Sequence, residues 1–247
     1  MTTTALITGA NKGIGLETAR QLAARGMTVF LGARDPGRGT DAERALRADG
    51  LDARLVQLDV TDETSIAAAA ALIGDELGSL DVLVNNAGIT TSGGPPSQTS
   101  LGGLREILET NVLGVIAVTN AVLPLLLRAP AARIVNVSSE IGSVTFMSDR
   151  SSPAWGMPAS ISYPASKSML NMVTAMYAKE LAGTAVKVNA ANPGYCATDL
   201  NGHNGFRSAA QGAEVSVHLA TLPDDGPTGT LWGYRWGDAG GYGELPW

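Results

Sequence analysis

Cysteine is nearly missing: Cys196 is the single one in 247 residues, so neither an intrachain disulfide nor a thiolate metal cage can form, and a reducing compartment suits the chain. Charge is scarce too. Charged residues make up 16% against a usual ~25%, which points to a protein with much interior. The net charge is −6 with no basic stripe, which argues against nucleic acid or an anionic membrane surface as a partner. The start, Met1 to Thr4, has no basic segment or cleavage site, and no apolar run reads as long enough to span a bilayer. The expectation is a cytoplasmic protein. Histidine is rare as well; His203 sits in a Gly/Asn-rich stretch without companion ligands, so it reads as a loop residue and no metal site is expected.

What is present is 45% apolar residue, arranged as short runs that alternate with helical spacings. Thr4 to Thr8 reads as a strand, followed by Gly9, Gly13 and Gly15 and then a helix carrying Leu16, Ala19, Leu22 and Ala23. Glycine lets backbone approach a ligand closely, and a helix start offers unpaired N–H groups and a positive dipole end, which together suit a nucleotide phosphate. An ordinary tight connection would use the same glycines. Asn11, Lys12 and Ile14 fill the turn. The second strand, Thr28 to Ala33, ends in Ala33 and Arg34 where a ribose-binding acid would stand in an NAD protein. Arg34 and Lys12 are suited to clamp a 2′-phosphate, while Asp35 reads as pointing away.

A helix over 39–50 and a third strand over 53–58 lead to Asp59 and Val60, placed at a strand end to meet an adenine. Asp62 reads as the cap of a helix that runs on through Ile66 to Leu77. The fourth strand, Leu80 to Val84, empties into Asn85, Asn86, Ala87 and Gly88, small residues against which a flat ligand can lie. A structureless loop over 90–100 precedes a long helix from about Leu101 to Leu127, expected to bend near Pro124. It holds Asn111, an awkward helix residue that either satisfies a local carbonyl or does chemistry. Strands over 133–139 and 186–191 follow. Strands alternating with helices imply an α/β protein built on a doubly wound parallel sheet with helices on both faces, ligands sitting at the strands' carboxyl ends.

Tyr163 and Lys167 lie one helical turn apart, so an ammonium would stand beside a phenol. Such a cation favours phenolate, and the pair is expected to lower the tyrosine's pKa. An amphipathic helix with a surface lysine carries the same spacing. The order of Thr8-Gly9-x-x-x-Gly13-x-Gly15, Asn85-Asn86-Ala87-Gly88, Asn111, Ser138-Ser139, Tyr163-x-x-x-Lys167 and Asn192-Pro193-Gly194 resembles the short-chain dehydrogenases/reductases. Residues 11–17 and 32–35 are similar to the NADPH-dependent carbonyl reductases within that family, as is the tail around Pro223 to Gly229. The resemblance implies a single Rossmann-like domain over residues 1–247, NADP(H) as cofactor, and a small carbonyl compound reduced reversibly to an alcohol. It gives Tyr163 the part of general acid and makes Lys167 both the tuner of that tyrosine and a ribose ligand. Ser139 would polarise the carbonyl, Asn111 would hold a water in a proton relay, and Ser138 would support the strand end. Pro193, Gly194 and Thr198 would meet the nicotinamide.

Ser139 and Tyr163 stand further apart than is usual in the family. The added residues, an insertion at about 143–160, are expected to form a loop over the substrate and to leave a monomer or homodimer rather than a tetramer. A substrate loop is expected at about 195–210. Met169, Met172 and Met176 read as core or subunit contact, Cys196 as a small residue near the pocket, and the tryptophans of 231–247 as either pocket wall or sheet cover. Reduction of an imine or enone, and a non-catalytic NADP-sensing protein, are the competing functions. Retention of Asn111, Ser139, Tyr163 and Lys167 speaks against the sensor.

Overall fold

The computed structural model describes residues 3–91, 94–237 and 240–247. Seven strands run parallel: β1 (Thr4–Thr8), β2 (Thr28–Ala33), β3 (Ala53–Gln57), β4 (Val82–Asn85), β5 (Ala132–Val137), β6 (Val186–Asn192) and β7 (Leu231–Gly233). An antiparallel β8 (Gly243–Leu245) closes one edge, and the order is β3-β2-β1-β4-β5-β6-β7-β8. The helices are α1 (Gly13–Ala23), α2 (Pro36–Ala48), α3 (Glu63–Leu77), α4 (Leu101–Leu108), α5 (Gly114–Leu126), α6 (Val144–Ser148), α7 (Ser162–Glu180) and α8 (Ala209–Ala220).

Two cores sandwich the sheet. Ala5, Ile7, Val29 and Leu31 pack under Leu22 of α1, Leu46 of α2 and Val217 of α8. Their strand neighbours Leu6 and Phe30 face the other way, onto Ile73 of α3, Val122 of α5 and Tyr177 of α7. Because side chains alternate along a strand, a sheet covered on both faces needs continuous apolar runs, which is what β1 and β2 supply. The chain reverses its direction of growth between β1 and β4, and the loops leaving those two strands part there to open a cleft.

Several boundaries differ from the sequence expectation for local reasons. Helix α2 starts at Pro36, because Asp35 caps it by accepting the Arg38 N–H at 3.0 Å and proline suits the first helical position. As the sequence leads one to expect, Asp62 caps α3 through the Thr64 N–H, and α3 starts at Glu63. The long helix is interrupted at Glu109–Leu113, where one π turn carries Asn111, and it stays helical through Pro124 to Leu126. Leu101–Leu126 is in fact long and apolar enough to cross a membrane by length and composition. Its Ile107, Val115, Val118, Val122 and Leu126 are instead buried in the protein. The loop over 90–100 contains a 3-10 turn at Pro96–Gln98, and its Ser92 and Gly93 lie outside the described residues. The insertion is not all loop, since it contains α6 and a 3-10 turn at Pro153–Gly156. Strands β7 and β8 were not anticipated; three residues each among glycines leave no periodicity to read.

Candidate active site

A cleft of about 810 Å³ opens at the carboxyl ends of the strands. Gly9 (φ 63°) and Gly13 (φ 57°) hold left-handed conformations, and a Cβ at Gly9 would stand 3.0 Å from the Ala87 Cα. Lys12 precedes α1 in extended conformation and offers no side-chain cap, so the first amides of α1 face the cleft without an internal acceptor. Asn86 clamps the turn: its side-chain amide donates to the Thr8 and Gly9 carbonyls at 2.9 and 3.2 Å. The Thr8 hydroxyl accepts the N–H groups of Asn86 and Ala87, both at 2.9 Å. A side chain at Gly15 would collide with the Asn86 amide.

Asn85 needs correction, since its side chain turns into the protein. It donates to the Thr119 hydroxyl at 3.1 Å and to Asn136 at 2.9 Å, tying β4 to α5 and β5. Asn11, Ile14, Ala87 and Gly88 do line the cleft, as do Asp59, Val60 and Arg34 on the far side. Asp59 accepts the Thr61 N–H and hydroxyl at 3.0 and 2.8 Å, which, with Arg34 nearby, holds its carboxyl below the usual range. Lys12 pairs with Asp199 at 2.6 Å, and His203 meets the other Asp199 oxygen at 2.8 Å. Of the two cations expected to clamp a 2′-phosphate, one therefore already has a partner. Ala33 is buried with its methyl toward Gly39 of α2, away from the cleft.

At the inner end, α7 places Tyr163 in its first turn and Lys167 one turn on. Lys167 is buried; its Nζ donates to the Val137 carbonyl at 2.7 Å and stands 5.4 Å from the Tyr163 ring centroid. Burial pushes Lys167 down to about 8 and Tyr163 up to about 12. The expected depression of the phenol is thus not what this arrangement produces, because loss of water outweighs a cation whose hydrogen bond goes to a carbonyl. Burial favours the neutral phenol.

Ser139 caps the tight turn Glu140–Gly142, whose Gly142 N–H returns to the Ser139 carbonyl at 2.9 Å. The turn lies directly on α7: a Cβ at Gly142 would be 2.6 Å from the Lys167 carbonyl carbon, and the Ser168 hydroxyl donates to the Gly142 carbonyl at 2.7 Å. Ser138 donates to Asn171 at 2.5 Å and so supports the strand end from inside. Asn111 is fully buried and does not line the cleft. Its side chain accepts the Ile89 N–H at 2.8 Å and donates to the Ile89 carbonyl at 2.9 Å and to the Ser166 hydroxyl at 3.1 Å. Ser166 in turn donates to the Tyr163 carbonyl at 2.8 Å. These contacts tie the π turn to Ile89 and, through Ser166, to the turn that carries Tyr163.

Pro193, Gly194 and Thr198 line the same cleft, with Thr198 capping the turn Asp199–Asn201. Cys196 is buried and donates to the Pro193 carbonyl, and burial raises its thiol to about 11, so it stays an unreactive small residue. The substrate end is aromatic: the rings of Tyr195, Phe206 and Trp236 stand 5.4 to 6.2 Å apart by centroid. Trp236 is therefore pocket wall, whereas Trp232 packs on His218 and backs the core. Of the insertion, Met157 reaches the cleft and Trp155 is exposed. Glu140 and Gly142 escape the sequence reading because their use depends on contacts across the chain, whereas Tyr195 and Phe206 fall in the expected substrate loop and Trp236 in the tryptophan-bearing end.

A doubly wound sheet with a glycine cradle at one end of a cleft and a tyrosine, lysine and serine at the other defines an oxidoreductase of the nicotinamide-dinucleotide class. The chain belongs to the short chain dehydrogenase family, whose model matches residues 3–206. It is 32% identical to (+)-neomenthol dehydrogenase of Capsicum annuum, over 94% of this chain and 95% of the relative. Carbonyl reductase [NADPH] 1 of Sus scrofa is 34% identical over 92% of this chain and 91% of its own. Among solved structures, NADPH-bound carbonyl reductase from chicken fatty liver superposes with a TM-score of 0.83 at 28% identity, covering 94% of this chain and 96% of that one.

Proposed function

We propose that this protein is an NADP(H)-dependent reductase that converts an aldehyde or ketone to an alcohol, reversibly, with Tyr163 as general acid. The observation that carries the reading is Tyr163 one helical turn before a buried Lys167 at the inner end of a cleft whose other end is a helix start without a side-chain cap. The cradle fits a dinucleotide: Gly9 and Gly13 hold conformations that admit close approach, and the first amides of α1 would donate to a phosphate. When bound, the cofactor supplies the hydride. Ser139 orients the carbonyl, and Tyr163 gives its proton to the carbonyl oxygen. Lys167 stabilises the phenolate left behind. Arg34, at the end of β2, would hold the 2′-phosphate, Asp59 and Val60 would flank the adenine, and Thr198 would meet the nicotinamide. Two of the relatives described above are named for NADPH, in keeping with this assignment.

Tyr163→Phe tests the mechanism. It removes the transferable proton and little else, so turnover should fall by roughly a hundredfold or more while NADPH still binds. Activity within tenfold of wild type would sink the role given to Tyr163. A sensor would show no NADPH oxidation with any carbonyl compound even before mutation.

A further inference from the structure

Glu140 follows Ser139 directly, lines the cleft, and is only 7% exposed. One carboxylate oxygen accepts the Trp236 N–H at 2.7 Å; the other has no hydrogen-bond partner among the described residues. Arg235, exposed at the rim, acts on it electrostatically but forms no ion pair with it. Arg207 is committed elsewhere, its guanidinium 3.9 Å from the Tyr234 ring centroid and 5.5 Å from that of Phe206. Loss of water pushes Glu140 up from the ordinary carboxylate range, against the Trp236 N–H and the Arg235 charge, which both lower it. The mechanism above does not use this group. Trp236, bonded to Glu140 through its backbone, packs its ring against Tyr195 and Phe206 in the same cleft, and aromatic faces attract a cation.

We infer that Glu140 makes the substrate end of the cleft a site for carbonyl compounds carrying a protonated amine, held by the free carboxylate oxygen and the neighbouring ring faces. The inference rests on the carbonyl-reductase reading and adds the substrate class. An ammonium there would pair with the carboxylate oxygen that the Trp236 N–H leaves free, while a substrate carboxylate would be repelled by the same group. Proton and hydride follow the path already described; only recognition is new.

The test compares three ketones of similar shape under NADPH oxidation at neutral pH: 4-(dimethylamino)cyclohexanone, its neutral counterpart 4-isopropylcyclohexanone, and 4-oxocyclohexanecarboxylate. In the wild type, kcat/KM for the amine should exceed that for the neutral ketone by about tenfold or more, with the acid poorest. Glu140→Gln keeps an acceptor for the Trp236 N–H but loses the charge, so the amine-to-neutral ratio should drop by about tenfold. A wild-type ratio near one, or a preference for the acid, overturns the inference without help from any variant. So does a high ratio that Glu140→Gln leaves unchanged, since the cation would then be recognised elsewhere. Absence of turnover with all three would count against the carbonyl-reductase reading itself, and the inference would fall with it.

Discussion

Keeping Lys167 charged inside the protein costs stability, and the sign of that cost is open to measurement. Its folded pKa, about 8, lies below the ordinary 10.5, so between those values the folded state holds fewer protons than the unfolded state. This group's contribution to stability therefore rises with pH across that window, and the penalty, about 3 kcal/mol, is fully present below about 8. Lys167→Met removes it while giving up the bond to the Val137 carbonyl, worth about 1 kcal/mol. The variant should be inactive yet about 2 kcal/mol more stable than wild type at pH 7, with the gain shrinking toward pH 10; paired denaturant titrations check both. Wild-type reduction should also weaken as pH rises through about 8, where the ammonium is lost before Tyr163 titrates. Arg34 decides a different property. With Lys12 paired to Asp199, discrimination for the 2′-phosphate falls mainly on Arg34. Preference for NADPH over NADH should be on the order of a hundredfold, and Arg34→Ala should remove roughly tenfold of it in kcat/KM. Unchanged discrimination would show that the phosphate binds elsewhere. Arg34 is a better probe than Ala33→Asp, which would bury a carboxylate under α2.

At the scale of elements, the active site depends on how closely one turn lies on one helix. The turn after β5 carries Ser139 and rests on α7 at Lys167 because Gly142 has no side chain. Gly142→Ala would force the turn off by a few tenths of an ångström or more, at a cost of about 1–3 kcal/mol. We expect kcat to fall at least tenfold with NADPH affinity near normal, since the glycine cradle lies at the other end of the cleft; fluorescence titration and steady-state rates together separate the two. Equal loss of both would point to general unfolding instead. The π turn at Glu109–Leu113 works in the same way on the opposite flank of α7. Asn111 breaks the regular helix, grips both polar groups of Ile89, and through Ser166 steadies the turn that holds Tyr163.

For the whole molecule, the open matter is how its faces are used. Met169, Met172 and Met176 recur along α7 at helical spacing and are about half exposed, so of the two readings, core or subunit contact, the core is excluded and they belong to an outer face. Val144 and Trp155 of the insertion are exposed as well. We expect assembly to stop at a dimer at most, because the insertion adds bulk before α7. Light scattering on the purified protein checks this, and a stable tetramer would overturn it.

The alternation of apolar strands with helices, the glycine turn after β1 and the one-turn spacing of Tyr163 and Lys167 were all settled by local sequence. Each depends on neighbours within a few residues: strand alternation, left-handed glycines and the helical repeat operate at short range. The same holds for the Asp35 and Asp62 caps. Tertiary structure alone decided that Asn85 serves the sheet while Asn86 clamps the turn, since both are asparagines at the same strand end and only their partners differ. It also decided the raised pKa of Tyr163, which follows from enclosure by the folded chain. The same is true of Glu140, brought to Trp236 from a distant part of the chain, and of β7 and β8, which become strands because β6 offers an edge to β7 and β7 in turn to β8. Long-range burial and pairing have no periodic trace in the sequence, because the partner that creates them is remote along the chain.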